Sequence, residues 1–302
     1  MDGFLKSKLS PAANPHAVVY KVDGSEIFVT GKERKWLHPI KLKTQETVIN
    51  LSRPIYVGEN EKEQYNLFIT NLEDVKPDYL ASGSWVNARV LFNYLDENEL
   101  SLLSPSMSMY HWLTSFKFCP QCGGTNQLCD LGAYLRCSSC SAVHYPQITP
   151  AIIVAVLDGR GNVLLSQRRK QFIKEPGNKP ILTILAGHVS QGESLEDAVS
   201  REVFEESNVV ISKLRYAGSQ PWPFPSQLMG CFYAVADNSP ILKADQDELL
   251  SVAWVSKESV LKAIRGSHEF ALPPVFTATY NLLSFWAEGK VDDMGFPNTK
   301  LS

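Results

Sequence analysis

The residues best suited to chemistry lie in the run Gly187-His188-Val189-Ser190-Gln191-Gly192-Glu193 and the stretch that follows it from Ser194 to Glu206. Ser194 with Asp197 three residues later is a helix-start signal: the hydroxyl caps the first turn, and the acid meets the positive end of the helix dipole. At about 100° per residue, Leu195, Ala198 and Val199 define the inward face. Glu202 and Glu206 fall on that same face, with Glu205 at its edge. Carboxylates on an inward stripe repel one another and lose hydration, which raises their pKa. A hard cation removes both penalties, since Mg²⁺ or Mn²⁺ takes carboxylates together with substrate phosphate oxygens. The other reading, a solvated acidic helix end, suits a stripe that points outward. These acids predict a divalent-cation site.

A second constellation is sulfur. Cys119-Pro120-Gln121-Cys122 is followed, after fourteen residues, by Cys137-Ser138-Ser139-Cys140. Two such knuckles supply four thiolates for a tetrahedral zinc, at a spacing close to that of a zinc ribbon. With every position filled by sulfur the ion has no open site, so its role is structural. The alternatives are a pair of disulfides or a ribbon without its metal. Cys129 and Cys231 have no partner motif and read as ordinary small residues.

Several elements must hold these groups. Ala17–Val22 and Ile27–Thr30 are rich in β-formers and flank Asp23-Gly24, a hairpin dipeptide. Gln64–Leu72 and Trp85–Tyr94 each read as a strand or as a strand passing into a helix. A short amphipathic helix over Met107–Phe118 leads to the cysteines. The apolar run Ala151–Leu157 reads as a buried strand, Asp158 to Asn162 as a turn, and Val163–Gln167 as the returning strand. Gly159 and Gly161 lack the third glycine and the helix start of a dinucleotide-binding loop. Arg168, Arg169, Lys170, Lys174 and Lys179 form a basic loop around Pro176-Gly177, either solvated or attracting a polyphosphate. Ile181–Leu185 is expected as a strand, as are Leu214–Gly218, Gly230–Ala236 and Val252–Val255, with Val275–Glu288 a closing helix. Between two of those strands, the prolines alternating with Trp222 and Phe224 stiffen the backbone and hold aromatic rings at low entropic cost. No P-x-x-P ligand motif occurs there.

Gly187, Glu193, Arg201, Glu202, Val203, Glu205, Glu206 and Val209 reproduce the Nudix box at its full spacing. It departs once, with Asn208 where the family has Gly; that position ends the helix left-handed, and Asn is the next-best residue there. The run from Ser219 to Met229 resembles the signature downstream of the box in NADH diphosphatases, a Nudix subfamily. The subfamily has Ser two places after the last Pro, where this chain has Gln227, with Ser226 before it. The resemblance spans about Phe118 to Glu288. It implies an α/β (α+β) fold: a Nudix α/β/α sandwich with a mixed sheet (146–290), preceded by a zinc ribbon (115–145) and a divergent mixed α/β N-terminal domain (1–105). It further implies Glu202, Glu206 and Glu248 as ligands of Mg²⁺ or Mn²⁺, Glu205 as a ligand or base, and Glu193 and Arg201 orienting the loop and helix. Cys119, Cys122, Cys137 and Cys140 would hold the zinc of the ribbon. By family position Tyr145, Ala186, His188, Gln220, Trp222, Phe224, Ser226 and Gln227 approach the nucleotide. His188 either stacks on a base or is a hydrogen-bonded loop histidine. The implied reaction is hydrolysis of reduced NAD to reduced nicotinamide mononucleotide and AMP, often by a homodimer. Hydrolysis of NAD-capped RNA and non-enzymatic dinucleotide binding are the other readings.

Composition sets the outer limits. A chain of 302 residues, 44% hydrophobic and 20% charged, suits a globular protein of two domains. A net charge of -3 gives no sign of a generally basic nucleic-acid binder. No apolar run nears the roughly 20 residues that span a bilayer, and Met1–Lys6 lacks the apolar core of a signal peptide. Paired Cys-x-x-Cys motifs then suggest a reducing, cytoplasmic setting. Thr299-Lys300-Leu301 nearly resembles a peroxisomal address, but Ser302 displaces it.

Overall fold

A computed structural model describes residues 15–20, 26–29, 40–41, 55–60, 65–71, 84–92, 94–169, 179–236 and 241–296. The Asp23-Gly24 turn, Lys170, Lys174, Pro176-Gly177 and the Thr299–Leu301 tripeptide lie outside these residues. The chain divides into two compact units, Met1–Ile148 with Trp222–Ser226, and Thr149–Pro221 with Gln227–Ser302.

The first unit holds a mixed sheet of β1 (Pro15–Tyr20), β2 (Glu26–Val29), β3 (Ile40–Lys41), β4 (Ile55–Asn60), β5 (Tyr65–Asn71) and β6 (Ser84–Asn87). Its order is β4-β5-β1-β2-β6, with β3 on β1. β1 and β2 pair antiparallel, as the hairpin dipeptide requires, while β1 and β5 run parallel. At Asn87 the strand gives way to helix α1 (Ala88–Leu91), because the Asn87 side chain accepts the Arg89 and Val90 amides. The next helix differs from expectation. α2 spans Glu97–Ser115, starting ten residues before Met107, because Asp96 and Glu99 close a capping box at its head. Pro105 sits inside without ending it. Three short strands follow, β7 (Asn126–Cys129), β8 (Tyr134–Cys137) and β9 (Val143–His144), forming an antiparallel sheet.

The second unit is a sandwich. Its sheet has the order β13-β14-β10-β11-β15, built from β10 (Thr149–Leu157), β11 (Asn162–Arg168), β13 (Ile211–Trp222), β14 (Gln227–Ala236) and β15 (Leu249–Ser256), with β12 (Leu185–His188) on β10. β10 runs parallel to β14 and antiparallel to β11 and β12, so the sheet is mixed. Buried strands covered on both sides are apolar throughout, and β10 is the case in point. Ile152, Val154 and Val156 meet α3 (Leu195–Ser207) through Ala198, Val199 and Val203. Ile153, Ala155 and Leu157 meet the other layer, α4 (Lys257–Ile264) and α5 (Ala278–Ala287), through Val260, Leu282 and Trp286. Alternation along one strand thus builds both cores. This is the α/β/α arrangement the resemblance implies.

Strand bounds shift where pairing extends them. β13 begins at Ile211 and ends at Trp222, β14 begins at Gln227, and β15 runs from Leu249. The strand expected at Ile181–Leu185 instead covers Leu185–His188, while Ile181 and Thr183 make only isolated bridges. Thr277 caps α5, so that helix starts at Ala278 rather than Val275. α4, capped by Ser256, has no counterpart in the sequence reading.

Candidate active site and metal centre

The site is assembled where β12 meets α3. Ser194 caps the helix, its hydroxyl accepting the Asp197 amide at 3.1 Å. Asn208 closes it at φ 62, the left-handed conformation expected there. One turn of β12 away, Gly187 faces the helix so closely that an added Cβ would lie 1.9 Å from the Glu202 carboxyl carbon. Any side chain at this position would have to displace the Glu202 carboxylate from the place where Arg201 holds it.

Arg201 ties the loop to the helix with all five of its N–H donors. Nε and Nη2 donate to the two oxygens of Glu193 at 2.7 and 2.8 Å. Nη1 donates to Glu202 at 2.9 Å and Glu205 at 3.0 Å, and Nη2 also donates to the His188 carbonyl at 2.9 Å. Glu193 in turn accepts the Ser190 amide at 2.8 Å. The Arg201 fork and that amide hold the Glu193 carboxyl down at about 2, and the acids raise the Arg201 guanidinium. Glu193 and Arg201 therefore tie the box loop to α3.

Glu206 is different. It is 3% exposed, and neither of its oxygens forms a hydrogen bond among the described residues. Arg168 Nη2 stands 3.9 Å from its Oε1 while donating to the Ala186 carbonyl at 2.8 Å. Burial pushes the Glu206 carboxyl up to about 7; the Arg168 charge opposes the rise, and the Glu202 and Glu248 charges add to it. A buried carboxylate without hydrogen bonds is costly, even with Arg168 nearby, and a cation held by Glu206, Glu202 and Glu248 would remove that cost. The donors are all oxygen, which suits a hard divalent ion. Glu205, at 54% exposure, sits on the open side. Among the described residues the acidic oxygens are not gathered within 4.8 Å of one another, whereas the four thiolates are.

Those thiolates come from Cys119, Cys122, Cys137 and Cys140, all free. Cys119 and Cys140 lie 3.7 Å apart and Cys122 and Cys137 3.5 Å. A disulfide needs about 2.05 Å; sulfurs around a tetrahedral zinc at 2.3 Å bonds sit about 3.8 Å apart. The Ser139 and Cys140 amides donate to Cys137 Sγ at 3.4 and 3.5 Å, and these bonds, that from Cys140 first, draw its thiol down to about 6. Cys140 moves the other way, up to about 12. The geometry fits zinc. His144, given no role from the sequence, places Nε2 3.3 Å from Cys119 Sγ.

The expected nucleotide-facing residues divide between the units. In the first, Tyr145 is exposed beside Tyr134, and Ser226 Oγ lies 3.4 Å from the Gln147 carbonyl. Trp222 and Phe224 contact edge to face at 5.4 Å, and Phe224 also meets Phe92 at 5.0 Å and the Arg89 guanidinium at 4.4 Å. In the second, Ala186 and His188 lie on β12, and Gln227 Nε2 approaches His188 Nε2 at 2.7 Å. Gln220 spends both ends of its amide on the head of α5, donating to the Phe276 carbonyl at 2.7 Å and accepting the Ala278 amide at 2.8 Å. The described members of the basic loop are also engaged internally: Arg169 with Gln246, and Lys179 with the Gly266 carbonyl at 3.4 Å. Arg168, adjacent in sequence to that loop, instead closes β11 beside Glu206. Only the β11–β12 neighbourhood reveals this.

Comparison with known proteins bears on the same region. Residues 147–273 match the NUDIX domain model. Over 204 residues the chain is 36% identical to the protein named NAD-capped RNA hydrolase NudC from Vibrio parahaemolyticus, covering 64% of this chain and 75% of that one. The namesake from Vibrio atlanticus is 33% identical over 240 residues, covering 79% and 81%. The human protein named NAD-capped RNA hydrolase NUDT12 is 36% identical over 204 residues, 64% of this chain but only 42% of its own length. This chain thus spans less than half of the mammalian relatives it matches. Among solved structures, a NUDIX hydrolase from Nitrosomonas europaea matches with TM-score 0.38 and 24% identity, over 52% of this chain and 97% of that one. With the box complete on α3 and the two Vibrio relatives matched over 75% and 81% of their length, the chain belongs to the Nudix hydrolase family.

Proposed function

We propose that this chain hydrolyses the pyrophosphate of NADH and related dinucleotides, releasing AMP and reduced nicotinamide mononucleotide, with Mg²⁺ or Mn²⁺ at the box acids. The observation that carries this reading is Glu206, a buried carboxylate without hydrogen bonds, flanked by the charges of Glu202 and Glu248. Glu202, Glu206 and Glu248 would hold the cation, which when bound neutralises the pyrophosphate and lowers the pKa of water. Around it the protein's own groups act as follows. Arg201 keeps Glu202 and Glu205 from drifting, since its donors are all engaged. Glu205 uses Oε2 on Arg201 and has Oε1 without a partner among the described residues, so Oε1 takes the proton of the attacking water. Gly187 keeps the space over Glu202 clear. Ala186, His188 and Gln227, all in the second unit, are proposed nucleotide contacts on the family resemblance. Gln220 serves the nucleotide indirectly, by bracing α5. We assign Zn²⁺ to the four thiolates as a structural ion, and expect residues 1–105, 115–145 and 146–290 to behave as modules of a homodimer.

Hydrolysis of NAD-capped RNA is the second reading, favoured by the names of the relatives. It cleaves the same bond with an RNA chain attached to the adenosine. A panel of NADH, NAD, ADP-ribose and NAD-capped RNA, incubated with Mn²⁺ in ¹⁸O-water, tests both. We expect label in a phosphate of one mononucleotide product. Release of free nicotinamide with the pyrophosphate intact would overturn the reading, and the relative rates decide between free and capped substrates.

A further inference from the structure

Arg168, the last residue of β11, and Arg169, which follows it, lie beside two different acids. Arg168 Nη2 is anchored on the Ala186 carbonyl at 2.8 Å and stands 3.9 Å from Glu206 Oε1. Among the described residues it is the one cation within 4.0 Å of that carboxylate. Arg169 does something else. Its backbone N–H donates to the Glu248 carbonyl at 3.0 Å, its Nε donates to the Gln246 carbonyl, and its Nη2 approaches Gln246 Oε1 at 3.3 Å. The turn it grips is tied at the other end to α3, where the Asp245 amide donates to the Glu206 carbonyl at 3.2 Å. Between the two arginines and that turn the ladder is irregular: Gln167 faces Ser251 and Arg168 faces Leu249, so Leu250 is an extra residue on β15. A bulge of this kind bends a strand and re-aims the groups next to it, and here the neighbouring group is Glu248.

We propose that Arg168 and Arg169 are positioning residues of the cation site with opposite effects on cation affinity; this rests on the metal reading above. Arg168 is a built-in counter-ion. It compensates the buried Glu206 carboxylate while no cation is bound, and its charge repels a cation that arrives. Held by the Ala186 carbonyl, it cannot leave without losing a hydrogen bond. Arg169 fastens the turn that presents Glu248, so it favours the cation by keeping a ligand in place. The bulge lets one strand end serve both acids. Like charges about 4 Å apart change binding by about fivefold even at the dielectric of bulk water, which sets the smallest effect to look for.

The test is Mn²⁺ binding to the full chain without substrate, followed by the loss of the free-ion electron paramagnetic resonance signal. Arg168→Gln is expected to bind Mn²⁺ several-fold more tightly than wild type, and Arg169→Gln several-fold more weakly. A merely structural role for both would weaken binding in both. Unchanged or weaker binding in Arg168→Gln, or unchanged or tighter binding in Arg169→Gln, overturns the proposal. If Arg168→Gln does not fold, Arg168→Lys keeps the charge and is expected to bind within about twofold of wild type; a larger shift in either direction overturns the counter-ion role. Glu206→Gln separates the two levels. Wild-type Mn²⁺ binding in that variant sinks the metal reading itself, whereas lost binding there with unshifted arginine variants sinks only this inference.

Discussion

At the scale of single residues, the contrast between Glu193 and Glu206 shows how one helix–loop module gives two carboxylates opposite properties. Glu193 is held at about 2 by the Arg201 fork, while Glu206 is pushed up to about 7 by burial. The second shift fixes a pH dependence. The folded, cation-free protein binds a proton at Glu206 more readily than the unfolded chain does. Its stability contribution is therefore complete below the unfolded value of about 4.3 and is lost as pH rises through 7. Glu206→Gln should remove that slope and raise the melting temperature of cation-free protein at pH 8, by up to about 3 kcal/mol of stability. The same change should lower kcat by about 10²-fold or more, as losing one preorganised electrostatic group does. Near-normal turnover in Glu206→Gln, or a pH–stability profile matching wild type, would count against the assignment.

At the scale of elements, the approach of β12 to α3 is the critical fit. Gly187 pairs with Ile152 on β10 and has the Glu202 carboxyl directly above it. A methyl group there has nowhere to go, because Glu202 is held by Arg201. Gly187→Ala should cost about 1–3 kcal/mol, in line with overpacking elsewhere, and should lower kcat by more than about tenfold by displacing Glu202. Denaturant melts and steady-state kinetics check both parts. A variant with unaltered stability and turnover would show that strand and helix can separate at no cost. Ser194, which caps the same helix, makes an internal comparison: Ser194→Ala removes only a cap worth about 1 kcal/mol and should leave the acids in place.

For the whole molecule, the thiolate cluster and the acids call for different ions. Four sulfurs within 4.8 Å of one another form a closed soft site, whereas the acids offer only oxygen. Elemental analysis should find about one zinc per chain, retained through dialysis, because a closed four-thiolate site binds strongly. Mg²⁺ or Mn²⁺ should leave with a mild chelator, and activity should return on adding it back. Zinc-free protein with a disulfide between the knuckles would contradict the first part. Among the described residues no helix is long and apolar enough to cross a membrane.

Much of the site was legible in the sequence because its signals are local. The Ser194 cap, the left-handed Asn208, the inward stripe of α3 and the two cysteine knuckles each depend on residues within a few positions of one another, and backbone geometry alone relates them. Both faces of β10 followed from an uninterrupted apolar run for the same reason. Other features depend on partners far away in the chain, and only the tertiary structure decided them. Arg168 and Arg169 read as a basic loop until the pairing of β11 with β15 and the approach of β12 turn them toward Glu206 and Gln246. Gln220 read as a nucleotide contact until the folded chain occupied its amide with α5, 56 and 58 residues away. Glu206 and Glu205 are neighbours of one type, yet one is buried and the other exposed. Periodicity shows which side of a helix faces inward, but how deeply a position is buried there depends on what the rest of the chain packs against it.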